Sequence, residues 1–138
     1  MYMLDTNIII YAIRHPRSQI NNILREHLGN DLCISVVTYG ELEYGVQKSS
    51  QPEKNRTAIR KILAGIRILD LDISAAEHFG DIFFRLEQKK MRIGDRDTLI
   101  AAHARSLGYT VVTHNTREFQ RVEGLSVEDW LAPLLETE

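Results

Sequence analysis

The sequence predicts an α/β fold with a largely parallel sheet, because short apolar runs alternate with helical patterns along the chain. Four runs have the length and composition of buried strands: residues 2–5 (YMLD), 32–37 (LCISVV), 67–72 (RILDLD) and 109–115 (YTVVTHN). The longer segments between them carry apolar residues at helical spacing. Because the 138 residues include no repeat, linker or low-complexity tract, we expect one domain over residues 1–138.

The first strand ends at a polar triplet inside an otherwise apolar stretch, MYMLDTNIII. Asp5 closes the strand, and Thr6 and Asn7 turn the chain into a helix that carries Ile8 to Ile13. All three residue types stabilise helix N-termini. Considered alone, the triplet is therefore explained as well by capping as by a functional role.

A helix is predicted before the third strand, over residues 52–66, with Ser50 and Glu53 as a capping box. Its apolar face is formed by Ile59, Ile62, Leu63 and Ile66. The next helix, 73–90, has an apolar stripe of Ala76, Phe79, Phe83 and Leu86. A last helix, 95–108, ends at Gly108, a residue that favours the left-handed conformation found after helices.

Composition excludes several classes of protein. The chain is 43% hydrophobic and 26% charged with a net charge of −2, so any nucleic-acid binding requires a local basic patch. No apolar run approaches the roughly 20 residues that cross a bilayer, and no signal-peptide pattern precedes the first strand. The single cysteine excludes an internal disulfide, and we expect a cytoplasmic location.

Carboxylate and amide side chains follow three of the predicted strands, and two further acids open the helix 95–108. The carboxyl ends of parallel strands meet at one edge of a sheet, where ligands gather. Each of these side chains has a separate structural explanation, such as capping, a favourable helix dipole or solvation. Their convergence on one edge is harder to attribute to chance. The residues are Asp5, Glu41, Glu43, Asp95, Asp97, Asn115 and Glu118.

Crowded carboxylates repel one another and take up protons unless a cation neutralises them. Mg²⁺ prefers oxygen ligands and is commonly held by one or two carboxylates plus a substrate phosphate. No C-x-x-C or H-E-x-x-H pattern indicates zinc. A carboxylate-held Mg²⁺ or Mn²⁺ suits phosphodiester hydrolysis, and the absence of P-loop, G-x-S-x-G and G-x-G-x-x-G motifs removes common competing chemistries.

Four motifs in order carry a family resemblance that covers nearly the whole chain: LDTN at 4–7, TYGELEYG at 38–45, DTLIAAHA at 97–104 and THNTREF at 113–119. They resemble PIN-domain ribonucleases, and most closely the VapC-type toxins of bacterial toxin–antitoxin pairs. The resemblance implies a PIN-like three-layer α/β/α sandwich with a central, mostly parallel sheet. It also implies Mg²⁺-dependent endoribonuclease activity on RNAs such as tRNA, inhibition of growth, a VapB-type antitoxin and a homodimer.

Carried over position by position, the family's acids fall on Asp5, Glu41 and Asp97, and its fourth acidic position, usually Asp, falls on Glu118. The implied mechanism is in-line attack by metal-bound water, with Asp5 and Asp97 as primary ligands. Glu41 and Glu118 are then secondary metal ligands or contact the metal through water. Glu118 is one methylene longer than the family's usual Asp, which favours contact through water. Asp95 has no required family counterpart and is expected to cap its helix or, at most, to lie in the outer shell of the metal site. The supporting residues are Thr6, Asn7, Thr113 and Asn115.

An RNA substrate also needs cations near the acidic motifs, although solvated surface charge explains any single one of them better than RNA binding does. The candidates are Arg14, Arg17, Lys48, Arg92, Arg96 and Arg117. The sequence gives little information about the homodimer. Ile82 and Phe84 lie beside the apolar stripe of the helix 73–90. They either extend this apolar surface to a partner or complete the core.

Three alternatives remain open at this stage. A receiver-like signalling domain would use Asp70 or Asp72 as phospho-acceptor, but it lacks the expected lysine after the last strand and leaves Glu41 and Asp97 without a role. A catalytically silent binding module would keep the fold without the chemistry. A DNA-directed nuclease would use the same metal chemistry.

Overall fold

The computed structural model describes residues 1–29 and 31–136, and a five-stranded sheet forms the centre of that part of the chain. Its strands are β1 (Tyr2–Leu4), β2 (Leu32–Ser35), β3 (Arg67–Leu69), β4 (Thr110–Val112) and β5 (Ser126–Glu128). Their order is β3-β2-β1-β4-β5, and every described pair of neighbours is parallel. The predicted α/β class is confirmed.

Helices cover both faces of the sheet. They are α1 (Thr6–Arg14), α2 (Gln19–Glu26), α3 (Val36–Gln47), α4 (Pro52–Leu63), α5 (Ile73–Gln88), α6 (Asp95–Leu107), α7 (Thr116–Phe119) and α8 (Ala132–Leu135). Since side chains alternate across a strand, Leu4 enters one core with Ile8 and Ile34, whereas Met3 enters the other with Ile100. The three-layer α/β/α sandwich is therefore confirmed.

The order of the strands places a crevice at the end of β1. The chain leaves β1 for β2 and then β3 on one side, and returns on the other side to form β4 and β5. Connections thus depart in opposite directions from β1 and β4, which is where ligands bind in sheets of this kind. The register pairs Leu4 with Val112, so Asp5 and Thr113 emerge side by side.

The ends of several elements differ from the predictions. Strand β2 stops at Ser35, because the Ser35 hydroxyl caps α3 by accepting a hydrogen bond from the Val37 backbone N–H at 3.1 Å. Strand β3 stops at Leu69, and the Asp72 carboxylate caps α5 by accepting from the Ala75 N–H at 2.9 Å. Polar residues that follow a strand thus begin the next helix.

Two predicted caps are wrong. The residue preceding α4 is Gln51, with no side-chain cap, and the hydroxyl of Ser49 rather than Ser50 accepts from the Gln51 N–H at 2.9 Å. Asp95 is the first residue of α6, and Gly94 occupies the N-cap position. The predicted end of α6 at Gly108 is confirmed by its left-handed backbone, with a φ of 70°.

The stripe predicted on α5 is also displaced. Ala76 is exposed, whereas Ala75 and Ile82 are buried with Leu86. Phe79 and Phe83 are only half-buried. Ile82 therefore completes the core, while Phe84 remains 60% exposed. Across residues 1–29 and 31–136, no helix has the length and apolar character needed to cross a membrane.

Candidate active site

Asp5 is buried at the crevice, and both of its carboxylate oxygens accept hydrogen bonds. The Thr6 backbone N–H donates to Oδ1 at 2.7 Å, and the Thr113 hydroxyl donates to Oδ2 at 2.8 Å across the β1–β4 boundary. Burial raises the pKa of the Asp5 carboxyl above its usual range, the two hydrogen bonds oppose this shift, and the Glu41 charge adds to it. The orientation of Asp5 is thus fixed by groups from both strands.

Glu41 lies on α3 and is connected to Asp5 through Thr6. The Thr6 hydroxyl donates to Glu41 Oε1 at 2.6 Å, while the Thr6 N–H is bound to Asp5. The other oxygen, Oε2, accepts from Arg96 Nε at 3.0 Å. Both oxygens of Glu41 are therefore engaged by groups of the chain itself.

Asp97, in the first turn of α6, shows that the four predicted acids share one region. Burial raises the pKa of its carboxyl to about 6, and the charges of Asp5, Glu41 and Glu118 add to the shift. The Arg96 guanidinium opposes it. Four separate elements thus bring negative charge to one place, where Arg96 offsets part of the repulsion and bound protons or a cation would offset more.

Asn115 and Glu118 extend this network from the end of β4. The Asn115 side-chain amide donates to Glu118 Oε2 at 3.1 Å, and the Asn115 N–H donates to the Thr113 hydroxyl at 2.9 Å. Because Thr113 accepts from Asn115, its own proton points toward Asp5. The predicted supporting residues Thr6, Thr113 and Asn115 therefore contact the acids or one another.

Two acids named in the sequence lie apart from this group. Asp95 is exposed and forms an ion pair with Arg92 at 3.6 Å. Glu43 faces α4, where Arg56 donates to its two oxygens at 2.8 and 3.0 Å. Neither acid is among the main causes of the raised pKa of Asp97.

A groove of about 680 Å³ opens beside the acids, between α1, α3, α4 and the start of α6. Asp5, Glu41 and Asp97 lie in its lining, and the exposed Asn7 is at its edge. Of the predicted RNA-binding cations, Arg14, Lys48 and Arg96 line the groove.

The remaining predicted cations do not line the groove. Arg92 lies over the Phe83 ring, 4.8 Å from its centroid, and Arg17 and Arg117 are exposed elsewhere. Sequence reasoning missed Tyr44, which also lines the groove. Its spacing of three residues from Glu41 on a helix was the available signal.

The donor set suits a hard divalent cation. Within the described ranges, no three His, Cys, Asp or Glu side chains converge closely enough to hold one ion directly. The carboxylates are instead contacted by groups of the chain, namely Thr6, Arg96, Thr113 and Asn115. Mg²⁺ still fits, because it is commonly held by one or two carboxylates and keeps several waters.

Comparison with known proteins identifies the family. The PIN domain family matches residues 2–125. A tRNA(fMet)-specific endonuclease VapC of Shigella flexneri is 44% identical over 129 residues, covering 94% of this chain and 97% of the relative. Ribonuclease VapC2 of Haemophilus influenzae is 43% identical over 130 residues, covering 94% and 98%.

Solved structures agree with these relatives. A DNA-bound VapBC from Salmonella typhimurium is similar with a TM-score of 0.89 and 40% identity, covering 94% of this chain and 97% of that one. The chain therefore belongs to the PIN-domain family of nucleases and, within it, to the VapC ribonucleases. Enzymes of this family generally depend on a divalent metal. This assignment replaces the receiver-like alternative. Asp72, which that alternative would use as a phospho-acceptor, caps α5.

Proposed function

We propose that this chain is a Mg²⁺- or Mn²⁺-dependent endoribonuclease, the toxin of a toxin–antitoxin pair, which hydrolyses a phosphodiester bond of tRNA. The observation that supports metal-dependent chemistry is the raised pKa of Asp97, caused by burial and by three other carboxylates from separate elements. Such a site gains most from a divalent cation, which removes the repulsion.

In this proposal Asp5 and Asp97 hold the ion, and Glu41 and Glu118 act through water. When bound, the ion supplies a hydroxide nucleophile at neutral pH and stabilises the leaving oxygen. The chain's own residues supply the geometry. Thr113 and the Thr6 N–H fix both oxygens of Asp5, and Asn115 orients Glu118. Such supporting contacts are routine around metals and affect their affinity.

We propose tRNA as the substrate class, and initiator tRNA as the first to test. Two relatives, from Shigella flexneri and Salmonella typhimurium, are named tRNA(fMet)-specific endonucleases and are 44% and 40% identical. Loss of initiator tRNA stops translation and growth, and this loss would explain why such an enzyme acts as a toxin. Such a substrate places the proposed activity in the cytoplasm.

The proposed partner is a VapB-type antitoxin. Three similar structures, from Rickettsia felis, Salmonella typhimurium and Haemophilus influenzae, are VapBC complexes. Co-purification of this chain with the product of a neighbouring short gene is the measurement that checks the partnership. A second protein partner is a copy of this chain, through the exposed side of α5 that carries Phe84.

The test uses the purified chain, freed of any partner, with initiator tRNA in Mg²⁺, in Mn²⁺ and in EDTA. We expect cleavage only with metal, and a loss of roughly 100-fold or more in Asp5→Asn and Asp97→Asn. Asp95→Asn is the matched control, because Asp95 lies in the same helical turn but outside the acid group.

The outcomes separate the alternatives. Activity of a folded Asp5→Asn protein equal to that of wild type contradicts the mechanism. No cleavage of any RNA by wild type favours a silent binding module. Equal cleavage of matched RNA and DNA oligonucleotides indicates a nuclease that does not discriminate between the two sugars.

A further inference from the structure

One face of α3 continues the acid group along the groove. Val37, Glu41, Tyr44, Gly45 and Lys48 all line the groove, and their spacing of four, three, one and three residues puts them on one side of a helix. Tyr44 and Lys48 follow Glu41 by one and two turns. A ligand that reaches the acids along this face must therefore pass them.

Tyr44 has the properties of a stacking platform. It is the more exposed of the two tyrosines on α3, at 63% against 42% for Tyr39. The Lys48 ammonium lies over its ring, 4.8 Å from the centroid. An aromatic ring beside a cation is the combination that binds single-stranded nucleic acid, because a base stacks on the ring and a phosphate pairs with the cation.

The two glycines inside α3 give an independent reason for a ligand. Glycine inside a helix is less favourable than alanine by about 1 kcal/mol. Neither Gly40 nor Gly45 has a positive φ, and a Cβ atom added to either would meet no atom within 4 Å. The chain's own backbone and packing therefore do not require them. Both line the groove, where the missing side chains leave clearance for a bound molecule.

We propose that Tyr44, Gly45 and Lys48 form a nucleotide subsite. In this subsite a base next to the scissile phosphate stacks on Tyr44, and the nucleotide lies against Gly45. Lys48, and Arg14 on the end of α1, offset the charge of the adjoining phosphates. This rests on the proposed ribonuclease function. RNA is favoured over a protein occupant because the aromatic ring of Tyr44 and the cations Lys48 and Arg14 line the same groove as the acids, although apolar side chains such as Ile10 and Ile59 also line it.

The test measures the dissociation constant of fluorescein-labelled initiator tRNA by anisotropy without metal, and KM and kcat with Mg²⁺. Tyr44→Ala is expected to raise the dissociation constant and KM by roughly 5- to 100-fold, the usual effect of removing one stacked base. We expect kcat to change little. Tyr39→Ala is the matched control, because Tyr39 lies on the same helix but not in this groove.

Two further substitutions at Tyr44 identify the occupant. If a base stacks there, Tyr44→Phe binds like wild type and Tyr44→Leu binds like Tyr44→Ala. Tyr44→Leu binding like Tyr44→Phe indicates apolar burial without stacking and overturns the assignment. Equal affinity of wild type and Tyr44→Ala also overturns it. Weaker binding by Tyr44→Ala in a chain that cleaves no RNA supports the subsite and contradicts the proposed catalysis.

Gly45→Ala separates a role of Gly45 in binding RNA from a role in the stability of α3. Its melting temperature is expected to rise by roughly 2–5 °C, since alanine favours the helix and meets no neighbour. Its affinity for the labelled tRNA is expected to fall at least threefold, because the methyl group occupies the clearance. A variant that is both more stable and unchanged in affinity overturns the role of Gly45.

Discussion

At the scale of single residues, burial is the main cause of the raised carboxyl pKa values at the site, and repulsion among the carboxylates adds to it. The clearest case is Asp97, whose pKa is raised to about 6 by burial and, to a smaller extent, by the charges of Asp5, Glu41 and Glu118. A carboxyl whose folded pKa lies above its unfolded value binds protons more tightly in the native state. Its contribution to the free energy of unfolding therefore falls as pH rises from about 4 to 6.

Asp97→Asn is accordingly expected to unfold at higher temperature than wild type at pH 7.5 in EDTA. We expect its free energy of unfolding to exceed that of wild type by about 1–2 kcal/mol. The pKa shift of Asp97 alone suggests ~3 kcal/mol, but solvent screens a partly exposed group. The difference between the two proteins should vanish below pH 4. If wild type is more stable than Asp97→Asn at pH 7.5 in EDTA, the prediction that burial and neighbouring carboxylates destabilise ionised Asp97 is wrong.

Arg96 is the second residue whose role follows from its contacts. It donates to Glu41 at 3.0 Å and opposes the raised pKa of Asp97, so it acts as a resident counter-charge. Arg96→Gln is expected to bind Mn²⁺ up to roughly fivefold more tightly, since an exposed ion pair is worth about 0–1 kcal/mol.

Titration of Mn²⁺ followed by its electron paramagnetic resonance signal measures this affinity without any RNA. Arg92→Gln serves as the control, because Arg92 pairs with Asp95 rather than with Glu41. Weaker Mn²⁺ binding by Arg96→Gln would show that the guanidinium supports the site instead of competing with the ion.

At the scale of secondary structure, α3 and α6 carry two of the four acids and are joined beneath the site. The His103 ring of α6 is buried, and its Nδ1 lies 2.9 Å from the hydroxyl of Ser35, which also caps α3. Burial lowers the pKa of His103 below its usual value and so favours the neutral ring. One serine thus sets both the start of α3 and its position against α6.

Ser35→Ala is therefore expected to lower the free energy of unfolding by about 2–3 kcal/mol, because it removes a cap and leaves a buried ring nitrogen without its partner. Urea unfolding followed by circular dichroism measures the change. Asp72→Ala, at the N-cap of α5, is the control for loss of a cap and should cost about 1 kcal/mol. Equal losses in the two variants would mean that the His103 contact contributes nothing.

The elements that sequence reasoning found are those with continuous apolar runs or wide helical stripes. Strand β5 has the pattern Ser-Val-Glu at the edge of the sheet, with only Val127 half-buried, so no apolar run marks it. Helices α7 and α8 have four residues each, too few for a periodic pattern. Helix α2 has a buried Ile20 and Leu24 between polar residues, a stripe too narrow to stand out.

For the candidate site, the sequence located the acids and their order, because parallel strands deliver their ends to one edge. It named Thr6 and Thr113 as supporting residues, but it did not predict that the Thr6 hydroxyl donates to Glu41 or that Arg96 pairs with Glu41. These depend on side-chain directions that spacing alone does not determine. Tyr44 was missed for a related reason, since a tyrosine on a helix between buried Leu42 and Val46 resembles a core residue until its exposure is known.

At the scale of the whole molecule, the proposed homodimer is the remaining prediction. Phe84 is 60% exposed on α5, and Ile73 at the start of the same helix is 80% exposed. Phe84→Glu is expected to shift the chain from dimer to monomer in light scattering after gel filtration, because it places a charge in an apolar contact. Glu77→Gln, an exposed change on the same helix, is the control. A monomeric wild type contradicts the proposal.

The hydrogen bond between Thr113 and Asp5 joins positions 108 residues apart in the chain. A polypeptide still being synthesised therefore lacks the group that fixes its first carboxylate until β4 has left the ribosome. The carboxylates Asp97 and Glu118 are also made late. On the proposed function, a nascent copy of this chain lacks a complete acid group until its synthesis is nearly finished, so the cell has nearly that whole time in which to supply an inhibitor.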